Sequence, residues 1–221
     1  AGFAAATSED TGKWGPALEG LGERHAIAAM TFKNYGCCGH IFPGLDGIAA
    51  LRDARGFGAA DVAAIHVGGY GPTKTVCDRP EARTEQDCRF SMQYCAAALL
   101  HLGGVRLAAF EPESLADPAI RATMAKVTVS LAPDLADAYP ARRAARVSVT
   151  LRDGTVLEHL QPTRKGDPDM PLSDAELSAK FHELAGPAIG AEAAARLEGA
   201  LLHGDALPGP VPLLAPAREA A

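Results

Sequence analysis

Two short apolar runs on either side of Asp153-Gly154 constrain the fold of this chain most. Val147, Val149 and Leu151 alternate with polar residues, and a second apolar run covers residues 156–160. Alternation with a period of two is typical of a strand with one buried face. Asp-Gly between two such runs predicts a tight hairpin turn in which both central residues have positive φ. The chain is therefore expected to contain an antiparallel pair of strands.

Helix and strand patterns interleave around this hairpin. We expect further strands at residues 27–32, 62–67 and 127–131, and helices at about 43–55, 85–102, 118–125, 174–184 and 191–202. Residues 68–81 contain Gly and Pro and are expected to form a long loop. Several helices begin at recognisable signals, namely Pro43, Thr84 with Asp87, Asp117-Pro118, and Ser173 with Glu176. Interleaved elements with one hairpin predict an α+β fold and not a doubly wound sheet.

Composition excludes some classes of function. With 221 residues and 48% hydrophobic side chains, the chain can bury a substantial core. Its net charge is -6 and its Lys and Arg are scattered, so nucleic acid is not an expected partner. The longest apolar run, residues 94–105, is interrupted by His101 and falls short of the roughly 20 residues that span a membrane. Five cysteines, an odd number, with no recognisable secretion signal lead us to expect reduced thiols and a cytoplasmic protein.

Three stretches of the sequence occur in a characteristic order. The first runs from Thr31 to His40 and continues to Asp46 and Arg52, the second covers residues 83–104, and the third covers residues 165–181. Together they resemble the MmgE/PrpD family, the group that includes 2-methylcitrate dehydratase. The resemblance extends over nearly all of residues 21–202. It implies a fold with a large helical domain and a smaller α+β lid inserted late in the chain, after which the final helices return to the helical domain.

The resemblance also implies how this chain is divided. Residues 1–25, which do not begin with Met, are expected to be a linker or remnant of the helical domain. Residues 26–172 would form the lid with its hairpin-containing sheet, residues 173–204 the C-terminal helices, and residues 205–221 a Pro-rich tail. The helical domain itself would be largely absent from this chain. Several of the family's acidic and histidine catalytic groups belong to that domain and would therefore be absent as well.

The resemblance assigns roles to a few residues. Lys33 matches the family's active-site lysine, and a substrate carboxylate is its expected partner. His40 is a candidate acid or base, although many members have the histidine two residues later, at the position of Phe42. Cys38 stands where decarboxylase-like members have a histidine, which argues against decarboxylation of cis-aconitate. Cys38 either lines the pocket or is a buried structural cysteine.

Other residues of the loops are weaker candidates. Arg79 either clamps a substrate carboxylate or braces the loop of residues 68–81, and Tyr70 and Lys74 have the same two possible roles. Lys165 is expected to be structural. Cys37, Cys38 and His40 are close in sequence, but no C-x-x-C pair exists, so we expect no metal site.

Two functions of different classes follow. The first is a metal-independent hydro-lyase or isomerase, like 2-methylcitrate dehydratase of propionate metabolism, acting on a small di- or tricarboxylate without a cofactor. It would need a helical half, from the same polypeptide or a separate subunit, and would form a homo- or hetero-oligomer such as a dimer. The second is a non-catalytic lid that pairs with a partner subunit through the C-terminal helices. An exposed apolar stripe with Leu184, Ile189, Leu197 and Leu201 would favour the second function.

Overall fold

The computed structural model describes residues 15–203, and the chain divides into two compact units, one ending at Thr31 and the other beginning at Phe32. The described part of the first unit contains helix α1 (Gly15–Leu18) and a 3-10 turn at Ala26–Ala29. The second unit contains four strands and the remaining helices. The expected tail at 205–221 and the first fourteen residues lie outside the described residues.

The second unit interleaves its helices and strands along the chain. In chain order its elements are α2 (Phe42–Arg55), a 3-10 turn (Ala59–Asp61), β1 (Val62–Gly69), α3 (Gly71–Thr75), α4 (Glu85–Arg89), α5 (Met92–Leu102), a 3-10 turn (Leu107–Phe110), α6 (Pro112–Ala116), α7 (Pro118–Met124), β2 (Val127–Leu131), α8 (Pro133–Asp137), β3 (Ala145–Leu151), β4 (Val156–Gln161), α9 (Asp174–Ile189) and α10 (Ala191–His203).

The strands form one mixed sheet in the order β2-β1-β3-β4. β1 pairs with β2 in parallel and with β3 antiparallel, and β3 and β4 form the expected antiparallel hairpin. The long connection from β1 to β2 carries helices α3 to α7, as a parallel pair requires. The α+β fold predicted from the sequence is confirmed.

One face of the sheet is a ladder of branched aliphatic side chains covered by helices α2 and α5. The register places Ile65 of β1 between Val127 and Val149, and the next inward residue, Val67, between Val129 and Val147. All of these side chains are buried. Each fully buried side chain of this kind contributes about 1.5–3 kcal/mol relative to an exposed one, so this face is the centre of the core.

Helix α2 lies very close to the sheet because two of its residues are glycines. Pro43 occupies its first turn, and Gly56 ends it in a left-handed conformation with φ 70°. A Cβ added to Gly47 would lie 2.7 Å from Cγ2 of Val147, and one added to Gly44 would lie 3.1 Å from Cγ1 of Val67. Glycine at both positions therefore sets the depth at which α2 packs.

The strand predicted at residues 27–32 is wrong. Ala26–Ala29 form a 3-10 turn, and Ile27, Met30 and Phe32 are 72%, 58% and 55% exposed. A strand is stable only beside a neighbour that accepts its backbone hydrogen bonds, and none of the four strands pairs with this segment. The two alanines of residues 27–32 also have little tendency to form strands.

Two further predictions need correction between β1 and β2. The predicted loop of residues 68–81 contains the short helix α3, since β1 continues to Gly69. The single helix predicted at 85–102 is two helices, α4 and α5, separated by Phe90 and Ser91. The hydroxyl of Ser91 accepts the backbone N–H of Tyr94 and donates to the carbonyl of Arg79. This second N-cap starts α5 in a new direction.

The hairpin turn differs in type from the prediction. Gly154 has φ 89°, but no residue other than glycine has positive φ within residues 15–203, so Asp153 does not. The N–H of Leu151 donates to the carbonyl of Thr155, which leaves a three-residue loop. The carboxylate of Asp153 accepts the N–H of Thr155 at 2.9 Å, and this local bond favours the longer turn.

The C-terminal helices begin as predicted. Ser173 and Glu176 form the expected capping box, and α9 extends to Ile189, beyond the predicted end. The Asp117 side chain caps α7, also as predicted. α9 and α10 pack against each other, and the assignment of residues 173–204 to a separate helical domain stays a prediction. No helix among the described residues is long and apolar enough to cross a membrane.

Candidate functional site

The segment that precedes helix α2 carries Lys33, Cys38 and His40. Backbone hydrogen bonds fix it at two points: Gly36 N–H donates to the Val105 carbonyl at 2.7 Å, and Cys38 N–H donates to the Arg89 carbonyl at 2.9 Å. Cys38 and His40 therefore lie at the N-terminal end of α2. The partial positive charge of a helix N-terminus favours anionic groups at this position.

Lys33 is exposed, and its ammonium group has no carboxylate partner within residues 15–203. Nζ lies 3.4 Å from the Cys37 carbonyl oxygen, and Lys33 is absent from the ion pairs of the described residues. The Lys33 carbonyl oxygen accepts a hydrogen bond from Nζ of Lys180 in α9 at 2.6 Å. The backbone of Lys33 is thus held, while its charge remains available to an anion.

Cys38 is half-buried and carries the more acidic of two paired thiols. The Cys77 thiol donates to its sulfur, the His40 N–H does the same, and the charges of Lys33 and Arg79 add to this, so the pKa of Cys38 is lowered to about 6 although burial opposes the change. The hydrogen bond with Cys38 and burial raise the pKa of Cys77. Because Cys77 is fully buried, the negative charge resides on Cys38.

His40 is the centre of an aromatic cluster. Its Nδ1 lies 2.9 Å from the hydroxyl of Tyr70, and Tyr70 is fully buried. The Tyr139 ring stacks on Tyr70 with centroids 4.7 Å apart and meets the His40 ring edge-on at 6.3 Å. Nε2 of His40 makes no hydrogen bond to any described residue. The imidazole is therefore oriented through one nitrogen and can exchange a proton through the other.

Two arginines lie near this cluster. Burial, followed by the charges of Arg143 and Arg164, lowers the pKa of His40 below its usual value. Arg164 is paired with Asp167 through two hydrogen bonds of 2.9 and 2.6 Å. The guanidinium carbon of Arg143 lies 5.9 Å from the ring centre of Tyr139. The lowered pKa favours the neutral form of His40, which suits a base.

Sheet topology explains how these distant residues meet. Gly69 of β1 pairs with Ala145 of β3, so Tyr70, just after β1, lies beside the segment that leads into β3. That segment contains Tyr139 and Arg143. Sequence reasoning missed both of them and Arg164, because nothing local in the sequence shows that β3 pairs with β1. Tyr70 was recognised only as a weak candidate of the loop.

Arg79 and Lys74 make structural contacts. Nε of Arg79 donates to the Val76 carbonyl at 3.0 Å, its guanidinium lies 3.5 Å from the Asp87 carboxylate, and it covers the Phe90 ring at 5.4 Å. Lys74 pairs with Asp78. These contacts fit the bracing alternative for both residues, and the carboxylate-clamp role of Arg79 stays a prediction.

Lys165 and Asp46 belong to a different part of the second unit. Asp46 is buried and accepts the Tyr35 hydroxyl and the Lys165 N–H, both at 2.8 Å. The Lys165 ammonium pairs with Glu176, the capping residue of α9. These contacts fit a structural role for Lys165. A cleft of about 650 Å³ is lined by these residues together with Arg52, Arg106 and Glu183, and its lining includes neither Lys33 nor His40.

The cysteines do not form a metal centre in the described part of the chain. No group of three or more His, Cys, Asp and Glu is placed there to hold a metal ion. Cys37 is buried, as a packing residue would be, and its thiol donates to the Cys38 carbonyl oxygen at 3.9 Å.

Comparisons with known proteins match most of this unit. The model of the MmgE/PrpD C-terminal domain matches residues 35–203. Cis-aconitate decarboxylase of Homo sapiens is 31% identical over 110 residues, which cover 50% of this chain and 23% of that protein. The same enzyme of Mus musculus is 30% identical over 110 residues, covering 50% of this chain and 22% of that protein. The alignments therefore span less than a quarter of each relative. Lys33 lies two residues before the start of the domain match, whereas Cys38, His40 and Arg79 lie within it.

Proposed function

This chain belongs to the MmgE/PrpD family, and from that membership we propose that it is part of a hydro-lyase acting on a small di- or tricarboxylate. The activity we favour is elimination of water from 2-methylcitrate or a close analogue by acid–base catalysis. Two relatives are named as cis-aconitate decarboxylases, but Cys38 in place of the histidine of such enzymes argues against decarboxylation in this chain.

One observation supports the proposal more than any other: an oriented histidine shares its segment with Lys33 and lies near Arg143, and neither cation has a carboxylate partner among the described residues. His40 is held by Tyr70, Lys33 lies on the same segment, and Arg143 lies against Tyr139. Several carboxylates cannot be desolvated without cationic partners. A polycarboxylate substrate would supply the missing negative charge.

The proposed reaction assigns one step to this chain. Lys33 binds a substrate carboxylate and thereby stabilises negative charge at the adjacent carbon. In the tautomer whose Nδ1–H donates to the Tyr70 oxygen, Nε2 of His40 removes the proton from that carbon, and the electron pair of the broken C–H bond forms the C=C bond. The hydroxyl on the neighbouring carbon leaves, and with a proton from an acid it becomes water. We assign that acid to the helical half, because the family's other acidic and histidine groups are expected there and Lys33 is exposed in this chain.

Activity with and without the helical half tests the proposal. This chain alone is expected to show no turnover of 2-methylcitrate, and to gain it when produced with the helical half, fused or as a separate subunit. In the complete enzyme, His40→Gln is expected to reduce kcat about 10²- to 10⁴-fold, the usual contribution of a general base. His66→Gln is the matched control, because His66 is exposed and bonded to Thr128 and Ser130 on β2. Turnover by this chain alone, or an equal effect of both substitutions, contradicts the proposal.

The non-catalytic alternative has an observation of its own. Leu184, Leu201 and Leu202 on α9 and α10 are 49%, 52% and 66% exposed, and an apolar groove of about 540 Å³ lies between these helices. Ile189 and Leu197 are partly buried. Sedimentation of the chain tests this function: a monomer at all concentrations, both alone and with the helical half, speaks against a pairing module.

A further inference from the structure

Arg143 differs from the other cation near His40 in having no anionic partner. Arg164 is mostly buried, and Asp167 neutralises its charge through two hydrogen bonds. Within residues 15–203, Arg143 makes no ion pair, and its guanidinium contacts the ring of Tyr139. The positive charge of Arg143 nevertheless acts on both His40 and Tyr70, because it favours a lower pKa for each of these side chains.

Arg143 lies at the end of a cluster of three aromatic rings. The His40 imidazole contacts Tyr70 and Tyr139, these two tyrosines are nearly parallel, with an angle of 10° between their planes, and the Arg143 guanidinium lies against Tyr139. A planar guanidinium that is set against an aromatic ring loses less freedom when it binds a ligand. An arginine in this setting can accept a carboxylate in a bidentate pair.

We propose that Arg143 is a second carboxylate-binding residue of the site, so that the ligand is anchored by two carboxylates, one on Lys33 and one on Arg143. This inference rests on the proposed function and narrows its substrate class. Lys33 lies on the segment that carries His40, with Nζ 3.4 Å from the Cys37 carbonyl oxygen, and Arg143 lies against Tyr139, whose ring meets that of His40 edge-on. In this inference a ligand held by both cations lies across His40, whereas a monocarboxylate occupies only one of them.

The chain offers a matched control for Arg143. Arg142 is its neighbour in sequence, is exposed, and its side chain makes no hydrogen bond or ion pair with the described residues. Arg142→Ala removes the same charge from the same segment without removing the group beside Tyr139. Arg143→Lys keeps the charge and removes the bidentate fork, so it separates simple electrostatic attraction from directed hydrogen bonding.

Binding of tricarballylate and of propionate to the full chain with its helical half tests the inference, by calorimetry and by the NMR shifts of His40. Arg143→Ala is expected to weaken tricarballylate binding about 10- to 100-fold, as the loss of a charged hydrogen-bonded pair does. Arg143→Lys should give a smaller loss, and Arg142→Ala less than about 2-fold by the weakness of exposed charges. Propionate, which needs one cation, should be affected less than tricarballylate by Arg143→Ala.

The outcomes separate the inference from the proposed function. If Lys33→Ala weakens tricarballylate binding while Arg143→Ala behaves like Arg142→Ala, the second anchor is wrong and the proposed function stands. If the unsubstituted protein binds no tricarballylate and the NMR shifts of His40 do not change on its addition, both the second anchor and the proposed function are wrong. Should Arg143→Ala fail to fold, Arg143→Lys alone decides, because undiminished affinity in that variant contradicts a bidentate role.

Discussion

The hydroxyl of Tyr70 lies 2.9 Å from Nδ1 of His40, and this bond joins the segment before α2 to the end of strand β1. Burial raises the pKa of Tyr70, so the hydroxyl stays protonated over the whole physiological range. Thr73, in α3, adds a hydrogen bond from its hydroxyl to the His40 carbonyl at 3.3 Å. Side chain and backbone of His40 are thus both held by residues that follow β1, while Nε2 remains available for chemistry.

His40 is predicted to titrate below 6.5 when followed by NMR. Burial is the main cause, and Arg143 and Arg164 add to it, Arg164 being paired with Asp167; the rings of Tyr70 and Tyr139 contact the imidazole. Because the folded-state pKa is lower than the unfolded one, the unfolded state binds the proton first. Stability is therefore lost as pH falls from about 6.5 towards the folded pKa.

Two variants check the origin of this shift. Arg143→Ala should raise the pKa of His40, and Arg142→Ala should leave it unchanged. His40→Asn should make the free energy of unfolding less dependent on pH between about 5 and 7. A His40 pKa at or above 6.5 in the unsubstituted chain would contradict the described surroundings of the ring.

Cys38 is predicted to be the most reactive thiol of the chain. With a pKa of about 6 it is largely thiolate at pH 7, and it is the one cysteine of the five that is not buried. Iodoacetamide labelling followed by mass spectrometry should modify Cys38 first, with a rate that falls as pH decreases through about 6.

The partner thiol provides the control for Cys38. Cys77→Ala removes the hydrogen bond that lowers the pKa of Cys38 most, so labelling at pH 7 should slow and its pH midpoint should rise. Cys77→Ser keeps a donor of similar size and should retain most of the effect. Equal labelling of Cys38 in both variants would show that Cys77 does not stabilise the thiolate.

Local signals predict the helix starts correctly, whereas long-range pairing could not be predicted from the sequence. Pro43, Asp117 and the Ser173-Glu176 box act on groups within four residues, so their effect is visible in the sequence. The site is different: Tyr139 and Arg143 reach His40 only because β3 lies antiparallel beside β1. The break between α4 and α5 also depends on a distant contact, the hydrogen bond from Ser91 to the Arg79 carbonyl.

Tyr35→Phe is predicted to destabilise the fold by about 1.5–3 kcal/mol, the range for a hydrogen bond to a charged group. The Tyr35 hydroxyl donates to buried Asp46 at 2.8 Å. Burial raises the pKa of Asp46, and the bonds from Lys165 and Tyr35 oppose that rise. Chemical denaturation at pH 7 measures the loss.

The pH dependence of this variant has a defined sign. A carboxyl with a raised folded-state pKa is favoured in its protonated form, so its contribution to stability decreases as pH rises above its usual value. The loss from Tyr35→Phe should therefore be smaller at pH 4 than at pH 7. Tyr139→Phe is the matched control, since its hydroxyl bonds to no described residue, and it should change stability by less than about 0.5 kcal/mol.

Gly47→Ala is predicted to destabilise the fold by up to about 2 kcal/mol, the cost of overpacking less the gain in helix propensity. Alanine favours a helix by about 1 kcal/mol over glycine, but the added Cβ would lie 2.7 Å from Cγ2 and 3.3 Å from Cβ of Val147. Overpacking a well-filled core costs about 1–3 kcal/mol, and Val147 has little freedom to move because it is β-branched. Gly199→Ala in α10 is the control: apart from its chain neighbours and the backbone of its own helix, nothing lies within 4 Å of its added Cβ, so it should stabilise by about 0.5–1 kcal/mol. Thermal and denaturant unfolding of both variants measure whether helix propensity or packing dominates the effect of Gly47→Ala. If Gly47→Ala stabilises the fold, α2 does not lie as close to the sheet as described.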